Sequence, residues 1–182
     1  IRNMKTKSLI AALLLATSSA FAQIPVSVSQ SNLIVYYSFQ NTANDYLNNC
    51  NGLVNGASIT SDAQGNINSA YSFNGTNSFI DIPNEFANGQ TLNSQTFRIK
   101  FKINQSGSYT LWNKDGSWQE AAIYVESDNS VGLFWAFPNY YSGIRSNSNT
   151  IQTGIWNDVI IIVSNNTGFI YINGALQTSY QF

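Results

Sequence analysis

Apolar and polar residues along this chain follow two different patterns, and the difference distinguishes fully covered strands from half-exposed ones. Residues 159–163 are an unbroken β-branched run, and a second β-rich run at 169–172 follows the polar turn 164–168. A run without alternation predicts a central strand with both faces covered. A third strand is expected after the Asn173-Gly174 turn, because Asn-Gly favours tight hairpins. The segment 155–174 therefore predicts a hairpin within two packed layers, that is, a sandwich.

Strict alternation appears at 96–103, which predicts a strand with one wet face. One face carries Phe97, Ile99, Phe101 and Ile103, and the other carries Arg98, Lys100 and Lys102. Further strands are predicted at 33–39, 52–54, 70–73, 79–82, 109–112, 121–125 and 131–137, with 70–73 and 79–82 joined as a hairpin by the turn 74–77. Short strands with turn signals between them, and no helix-period segment after the first residues, predict an all-β sandwich or jelly roll.

The first residues have the parts of a secretory signal peptide in the right order. Residues 4–7 are a short basic region, 9–16 are apolar, and 20–22 read Ala-Phe-Ala, a small-x-small cleavage site. The apolar part is too short to span a bilayer stably. We therefore expect cleavage after Ala22, no stable membrane span afterwards, and a secreted or cell-surface location. The alternative is a buried N-terminal helix.

This leader sets the expected domain boundaries. Residues 1–3 precede Met4 and resemble translated upstream sequence, so 1–22 is treated as upstream residues plus signal peptide. Residues 23–32 form a short linker rich in Ser and Gln, and 33–182 form one domain. A chain of 182 residues is long enough for one domain with a substantial core.

Composition removes several classes of function. Without Arg2, Lys5 and Lys7 the chain has 5 Lys+Arg against 9 Asp+Glu, a net charge of −4, which disfavours nucleic-acid binding. The chain has no His, so Ser-His-Asp triads and imidazole zinc sites are excluded. Cys50 is the one cysteine, which excludes an intrachain disulfide. The 25 Asn residues suit turns between strands, because Asn tolerates positive φ.

Three segments in order carry a family resemblance: 33–39 followed by Asp45, 69–80, and Trp156 with Asn173-Gly174. Together they resemble bacterial laminin-G-like domains of the concanavalin A-like lectin/glucanase superfamily. The resemblance covers 33–182 and implies an antiparallel jelly-roll β-sandwich. Such domains normally continue with further strands, so we expect this one to be C-terminally truncated, with an open edge beside Tyr171-Ile172.

The resemblance also implies a structural calcium ion at the loop that follows the first predicted strand. Asp45, Asn49 and Asn51 lie in this amide-rich loop, which offers the hard oxygen ligands that Ca²⁺ prefers. The loop departs from the usual family pattern at 46–52, where only part of it matches. The alternative is an Asx-turn loop without a metal.

Aromatic residues between 112 and 141 are candidates for ligand binding, since sugar rings stack on aromatic faces. The predicted ligand-binding residues are Trp118, Tyr140, Tyr141 and Trp135. Trp118 and the Tyr140-Tyr141 pair follow turn residues, whereas the alternative for Trp135 is a place in the core. The stripe of Arg98, Lys100 and Lys102 is expected either to meet an anionic partner or to blunt strand aggregation.

Catalysis is not expected. Glucanases of the same superfamily carry E-x-D-x-x-E on one strand, whereas Glu126-Ser127-Asp128 is not followed by the second Glu. The sequence therefore predicts a non-catalytic module of a secreted or surface protein that binds carbohydrate or an extracellular protein. Two alternatives stay open: an accessory domain of a larger secreted glycosidase or protease, and an adhesive spacer without a ligand.

Overall fold

The computed structural model describes residues 31–82, 94–114, 120–137 and 140–182. These residues contain no helix, and their strands are all paired antiparallel. The strands of the described part are β1 Leu53–Asn55, β2 Ser58–Thr60, β3 Ala70–Ser72, β4 Phe79–Asp81, β5 Ser94–Phe101, β6 Tyr109–Lys114, β7 Glu120–Val125, β8 Val131–Phe137, β9 Tyr140–Arg145, β10 Asn157–Ser164, β11 Thr167–Ile172 and β12 Ala175–Gln181. The predicted all-β antiparallel class is confirmed.

Two four-stranded sheets form the body of the domain. Sheet I has the order β12-β11-β10-β5, and sheet II has the order β6-β7-β8-β9. The chain leaves sheet I after β5, completes sheet II as a meander, and returns to sheet I with β10. Two ribbons, β1-β4 and β2-β3, precede them. The jelly-roll connectivity implied by the family resemblance stays a prediction.

The side chains of β10 and β8 alternate between the two faces of their sheets, and those on the inner faces form one core between the sheets. Val159, Ile161 and Val163 are buried on β10, and Leu133 and Trp135 are buried on β8. All five belong to a single hydrophobic cluster that draws on both sheets. Burial of such side chains contributes about 1.5–3 kcal/mol each, so the sheets are held face to face by this cluster.

Strand β10 is central, as predicted, with β5 on one side and β11 on the other. Its outer face is only half-covered, however, because Ile160 and Ile162 are half-buried while Ile161 is buried. Ile160 lies between Arg98 of β5 and Tyr171 of β11 on that face. Long neighbouring side chains of the same sheet can cover such a face in part, so full coverage on both faces was a wrong expectation.

Two tight turns set the register of the hairpins in sheet I. Asn165 and Asn166 both have positive φ between β10 and β11, and Asn173 and Gly174 do so between β11 and β12. Positive φ at both central residues is typical of type I′ turns, whose twist matches that of antiparallel strands. The strand predicted after Asn173-Gly174 is confirmed as β12. The predicted open edge beside Tyr171 is wrong, because Leu176 of β12 pairs with Tyr171.

Two predictions about the region before sheet I are also wrong. Residues 33–39 form no strand, since the Tyr36 N–H donates to the Asp45 carboxylate at 2.8 Å and not to a neighbouring strand. Strands β3 and β4 do not pair with each other, because β3 pairs with β2 and β4 pairs with β1. The connection between them closes on the Asn74 side chain, whose Oδ1 accepts the N–H groups of Thr76 at 2.9 Å and Asn77 at 3.1 Å. This Asx turn replaces the expected hairpin turn.

The two faces of β10 give a direct test of the packing. Ile161→Ala is expected to lower the free energy of unfolding by about 2–5 kcal/mol, because Ile161 is 1% exposed and its loss leaves a cavity. Ile160→Ala removes the same atoms from the half-buried face and is the matched control, with a smaller loss. Urea unfolding of both variants measures the difference; equal losses would contradict the assignment of faces.

Candidate functional site

An open groove lies on the outer face of sheet II, with a volume of about 590 Å³. Three of the six described residues that line it are aromatic, and one is a glutamate. The lining residues are Tyr124, Glu126, Phe134, Ser142, Gly143 and Tyr180, which we call the aromatic groove. Concave surfaces with aromatic walls and a few polar groups are the usual form of small-ligand sites.

Strand alternation explains why the first two rings face outward. Tyr124 lies between the buried Ile123 and Val125 on β7, and Phe134 lies between the buried Leu133 and Trp135 on β8. Successive residues of a strand point to opposite faces, so burial of these neighbours puts both rings on the outer face. The outward position of the rings is thus a consequence of core packing.

Glycines create the depression beside the rings. Gly132 pairs with Tyr124 across the ladder, and Gly143 pairs with Phe134. A Cβ added at Gly132 would lie 2.8 Å from the Tyr124 ring, so the ring lies flush against this backbone. A Cβ at Gly143 would lie 2.9 Å from the Leu133 carbonyl oxygen. A glycine inside a strand often marks a site where another group approaches the backbone closely.

The third ring, Tyr180 of β12, comes from the edge of sheet I and is anchored through the core. Trp135 and Phe182 meet edge to face with ring centroids 4.6 Å apart, and Phe182 meets Tyr180 at 5.7 Å. The Phe182 N–H also donates to the Asn166 carbonyl at 2.8 Å. Both the ring and the backbone N–H of Phe182 are engaged. Tyr180, which contacts this ring, is therefore held beside sheet II although it is 57% exposed.

The polar end of the groove is built by the turn that joins β7 to β8. The Glu126 N–H donates to the Ser130 carbonyl at 3.0 Å, and the Asn129 N–H donates to the Glu126 carbonyl at 2.9 Å. Asn129 has a φ of 58°, a conformation that Asn tolerates better than most residues. These contacts fix the backbone of Glu126, which is one of the residues that line the groove.

Asp128 organises the same turn through a network of hydroxyl groups and one cation. Its carboxylate accepts hydrogen bonds from the Ser130 hydroxyl at 2.7 Å and the Ser148 hydroxyl at 2.6 Å, and it forms an ion pair with Arg145. The Ser148 and Ser130 hydroxyls, followed by the Arg145 guanidinium, hold the pKa of Asp128 well below its usual range. Hydrogen bonds to the ionised form have this effect because they stabilise the charge.

The predicted ligand-binding residues have different outcomes. Trp118 lies outside the described residues. Tyr140 and Tyr141 are the first residues of β9, paired in register with Phe137 and Ala136, and their side chains lie outside the description. Trp135 is 5% exposed and packs in the core, so it is not available to a ligand at the surface. Its prediction as a binding residue is therefore corrected to the core alternative.

The rings that do face the groove were missed by the sequence interpretation. Tyr124, Phe134 and Tyr180 lie in segments predicted or expected as strands, but their faces were not assigned. The signal was present for two of them, because each lies between apolar residues that face the core. An aromatic residue at the outward position of a strand is a candidate for binding. Tyr180 has no such signal, since its position depends on Phe182.

The loop predicted to bind calcium is held together by backbone N–H groups that donate to the buried carboxylate of Asp45. Asp45 is 3% exposed, and its two oxygens accept the N–H groups of Tyr36 at 2.8 Å and Asn49 at 3.2 Å. The Asn51 side-chain oxygen accepts the Asp45 N–H at 3.1 Å. The neighbouring Tyr37 hydroxyl donates to the Cys50 carbonyl, and burial raises the pKa of Tyr37 above its usual range.

These contacts bear on how well the loop fits a metal. Asn49 meets Asp45 through its N–H group, and the oxygens of Asp45 and Asn51 already accept N–H donors. A calcium site needs six to eight oxygen ligands directed at one point. The described residues contain no group of three or more His, Cys, Asp or Glu side chains that would hold a metal. The arrangement fits a hydrogen-bonded turn, and calcium at Asp45, Asn49 and Asn51 stays a prediction.

The basic stripe lies on the outer face of sheet I, as predicted. Arg98 makes a two-pronged ion pair with Asp158, with Nη2–Oδ2 and Nε–Oδ1 distances of 2.7 and 3.0 Å. Lys100 lies 3.8 Å from the same carboxylate, and the Lys102 ammonium lies 5.9 Å from the centre of the Trp156 ring. Internal partners therefore compensate much of this charge, which favours the structural alternative over an anionic ligand.

Comparison with known proteins assigns no family. No protein-family model matches the chain, and no curated protein matches it. A crystal structure of an S-layer domain-containing protein from Clostridium thermocellum ATCC 27405 (residues 221-444) resembles the fold, with 20% sequence identity and a TM-score of 0.48. The match covers 80% of this chain and 71% of that one. The described residues also contain no helix long and apolar enough to cross a membrane.

The Asp45 loop can be tested against a matched loop. Asp45→Ala is expected to lower the free energy of unfolding by about 1.5–3 kcal/mol, because two N–H groups lose a buried charged acceptor. Asp62 accepts the N–H groups of Gln64 and Asn66 in an exposed loop, so Asp62→Ala, where water replaces the carboxylate, should cost less. Repeating the wild-type melt with calcium and with EDTA tests the metal: a higher melting temperature in calcium would support it, and no difference would count against it.

Asp128 predicts a specific dependence of stability on pH. Its folded-state pKa is lowered, so it stabilises the fold above the unfolded pKa of about 4, and this contribution is lost as the pH falls. Asp128→Asn should therefore be less stable than the wild type at pH 7, and the difference should shrink below about pH 4. Chemical unfolding from pH 7 to pH 3 measures it, with Asp81→Asn on β4 as the control. A difference that is constant with pH would contradict the network.

Proposed function

We propose that this domain is a non-catalytic carbohydrate-binding module, and that the aromatic groove is its binding site. The observation that carries the proposal is the set of three rings, Tyr124, Phe134 and Tyr180, around a backbone floor at Gly143. The apolar faces of a sugar stack on such rings, while its hydroxyls bond to nearby polar groups such as Ser142 and Glu126.

Binding is favoured over hydrolysis by the carboxylates of the site. Most glycosidases need two carboxyl groups placed on opposite sides of the scissile bond. Among the described lining residues the groove has one, Glu126. Asp128 is near in sequence but is engaged by Arg145, Ser130 and Ser148. This arrangement supports a site that holds a glycan without cleaving it.

The proposal includes a secreted or cell-surface location. The basic, apolar and small-residue parts of 4–22 support export, and the low content of charged residues fits a domain whose polar surface is made of amides and hydroxyls. A laminin-G-like jelly roll is the fold family that the three sequence motifs favour. A surface protein in place of a glycan, an accessory role beside a secreted enzyme, and a spacer without a ligand are the alternatives.

The groove makes a prediction about single rings. Tyr180→Ala and Tyr124→Ala should each weaken glycan binding roughly fivefold, which corresponds to about 1 kcal/mol of lost stacking. Tyr46→Ala is the matched control, because Tyr46 is also exposed, at 48%, but belongs to the Asp45 loop. A glycan array identifies the ligands, and titration calorimetry on the best of them measures the affinities.

Three outcomes decide between the proposals. Loss of binding in the groove variants with retention in Tyr46→Ala supports the aromatic groove. Equal loss in all three variants would contradict it, since the effect would then not depend on the groove. A wild-type protein that binds no glycan on the array would reject the carbohydrate-binding proposal and favour a spacer or a protein ligand.

A further inference from the structure

We infer that the aromatic groove selects glycans that carry a protonated amine, such as oligomers of glucosamine, over neutral oligosaccharides of the same length. The inference rests on the proposed function and specifies its ligand class. Three aromatic rings and one carboxylate, Glu126, line the same groove, and no basic side chain is among the described residues that line it. Rings and a carboxylate are the groups that attract an organic cation.

The backbone of Glu126 is held in place by the turn that follows β7. Its backbone N–H and carbonyl are both engaged, with Ser130 at 3.0 Å and with Asn129 at 2.9 Å. Tyr124 belongs to β7, Glu126 directly follows the last residue of that strand, and both residues line the groove. A carboxylate on a fixed backbone beside an aromatic ring gives a cation two attractive contacts at once.

Arg145, the basic residue of strand β9, is engaged by other residues of the protein. Arg145 pairs in register with Gly132, which puts it on the strand face that also carries Tyr124. Its Nε donates to the Ser130 hydroxyl at 2.6 Å, and its guanidinium forms an ion pair with Asp128. In the described part of the chain Arg145 is therefore paired with Asp128, and no ion pair joins it to Glu126.

Charge complementarity extends beyond the groove. After removal of the three basic residues of the leader, the chain has 5 Lys+Arg against 9 Asp+Glu, which gives −4. The basic stripe that would oppose a cation lies on the outer face of sheet I, where Asp158 pairs with Arg98. An overall negative field raises the local concentration of a cationic glycan and speeds its association.

The chemical difference between the sugars is confined to one nitrogen. In mildly acidic buffer, where the comparison is made, glucosamine carries a protonated amine, N-acetylglucosamine carries a neutral amide at the same carbon, and glucose carries a hydroxyl. All three present the same apolar ring faces for stacking on Tyr124, Phe134 and Tyr180. A preference among them therefore reports on Glu126 and on the charge–ring contacts, separately from stacking.

Calorimetry with tetrasaccharides of glucosamine, N-acetylglucosamine and glucose tests the inference. The wild type should bind the glucosamine tetramer about five- to tenfold more tightly than the other two, and the preference should shrink at high salt. Glu126→Gln keeps the shape and removes the charge, so most of the preference should be lost and only the part due to the rings should remain. Glu126→Asp keeps the charge and should retain part of the preference.

The control is Asp81→Asn, which makes the same change of net charge on an exposed strand residue of β4 and should leave the preference intact. Circular dichroism and urea unfolding of each variant show that it folds. Equal binding of the three sugars by the wild type, or a preference that is undiminished in Glu126→Gln, would overturn the inference. If the amine preference is absent but the neutral sugars bind and lose affinity in Tyr180→Ala, the inference fails and the proposed carbohydrate-binding function stands. If no tetrasaccharide binds, both fail.

Discussion

Burial of one face of β10 against sheet II is the interaction on which the rest of the structure depends. Val159, Ile161 and Val163 supply this face, and the buried residues of β7 and β8 meet it from the other sheet. Because strand side chains alternate, fixing the inner residues also fixes which residues face outward. The positions of Tyr124 and Phe134 on the surface therefore follow from the core and need no separate cause.

The parts that the sequence predicted well are those with local causes. The span of β8 at 131–137, the two hairpins of sheet I and the basic face of β5 follow from periodicity and from Asn and Gly in turns. Such signals act within about ten residues, so they can be interpreted from the sequence alone, before the fold is known. The same reasoning failed where a side chain replaced a strand partner, as Asp45 does at Tyr36 and Asn74 does before β4.

The candidate site was harder to predict because it depends on contacts between distant segments. Trp135 was expected to bind a ligand, but it faces the core and supports Phe182, which in turn supports Tyr180. These residues are separated by about 45 positions along the chain, and no local pattern links them. Tyr124 and Phe134 follow from alternation once the inner residues are known, whereas the participation of β12 follows only from the packing of the two sheets.

The groove on sheet II depends on glycines as well as on large side chains. Gly132 and Gly143 lie opposite Tyr124 and Phe134, so each ring stands beside a bare stretch of backbone. A side chain at either glycine would collide with the ring or with a carbonyl, and the depression would be filled. Under the proposed function, recognition at this surface would rest on stacking, which most sugars share. The carboxylate of Glu126 would then separate ligands whose ring faces are alike, because they differ in charge.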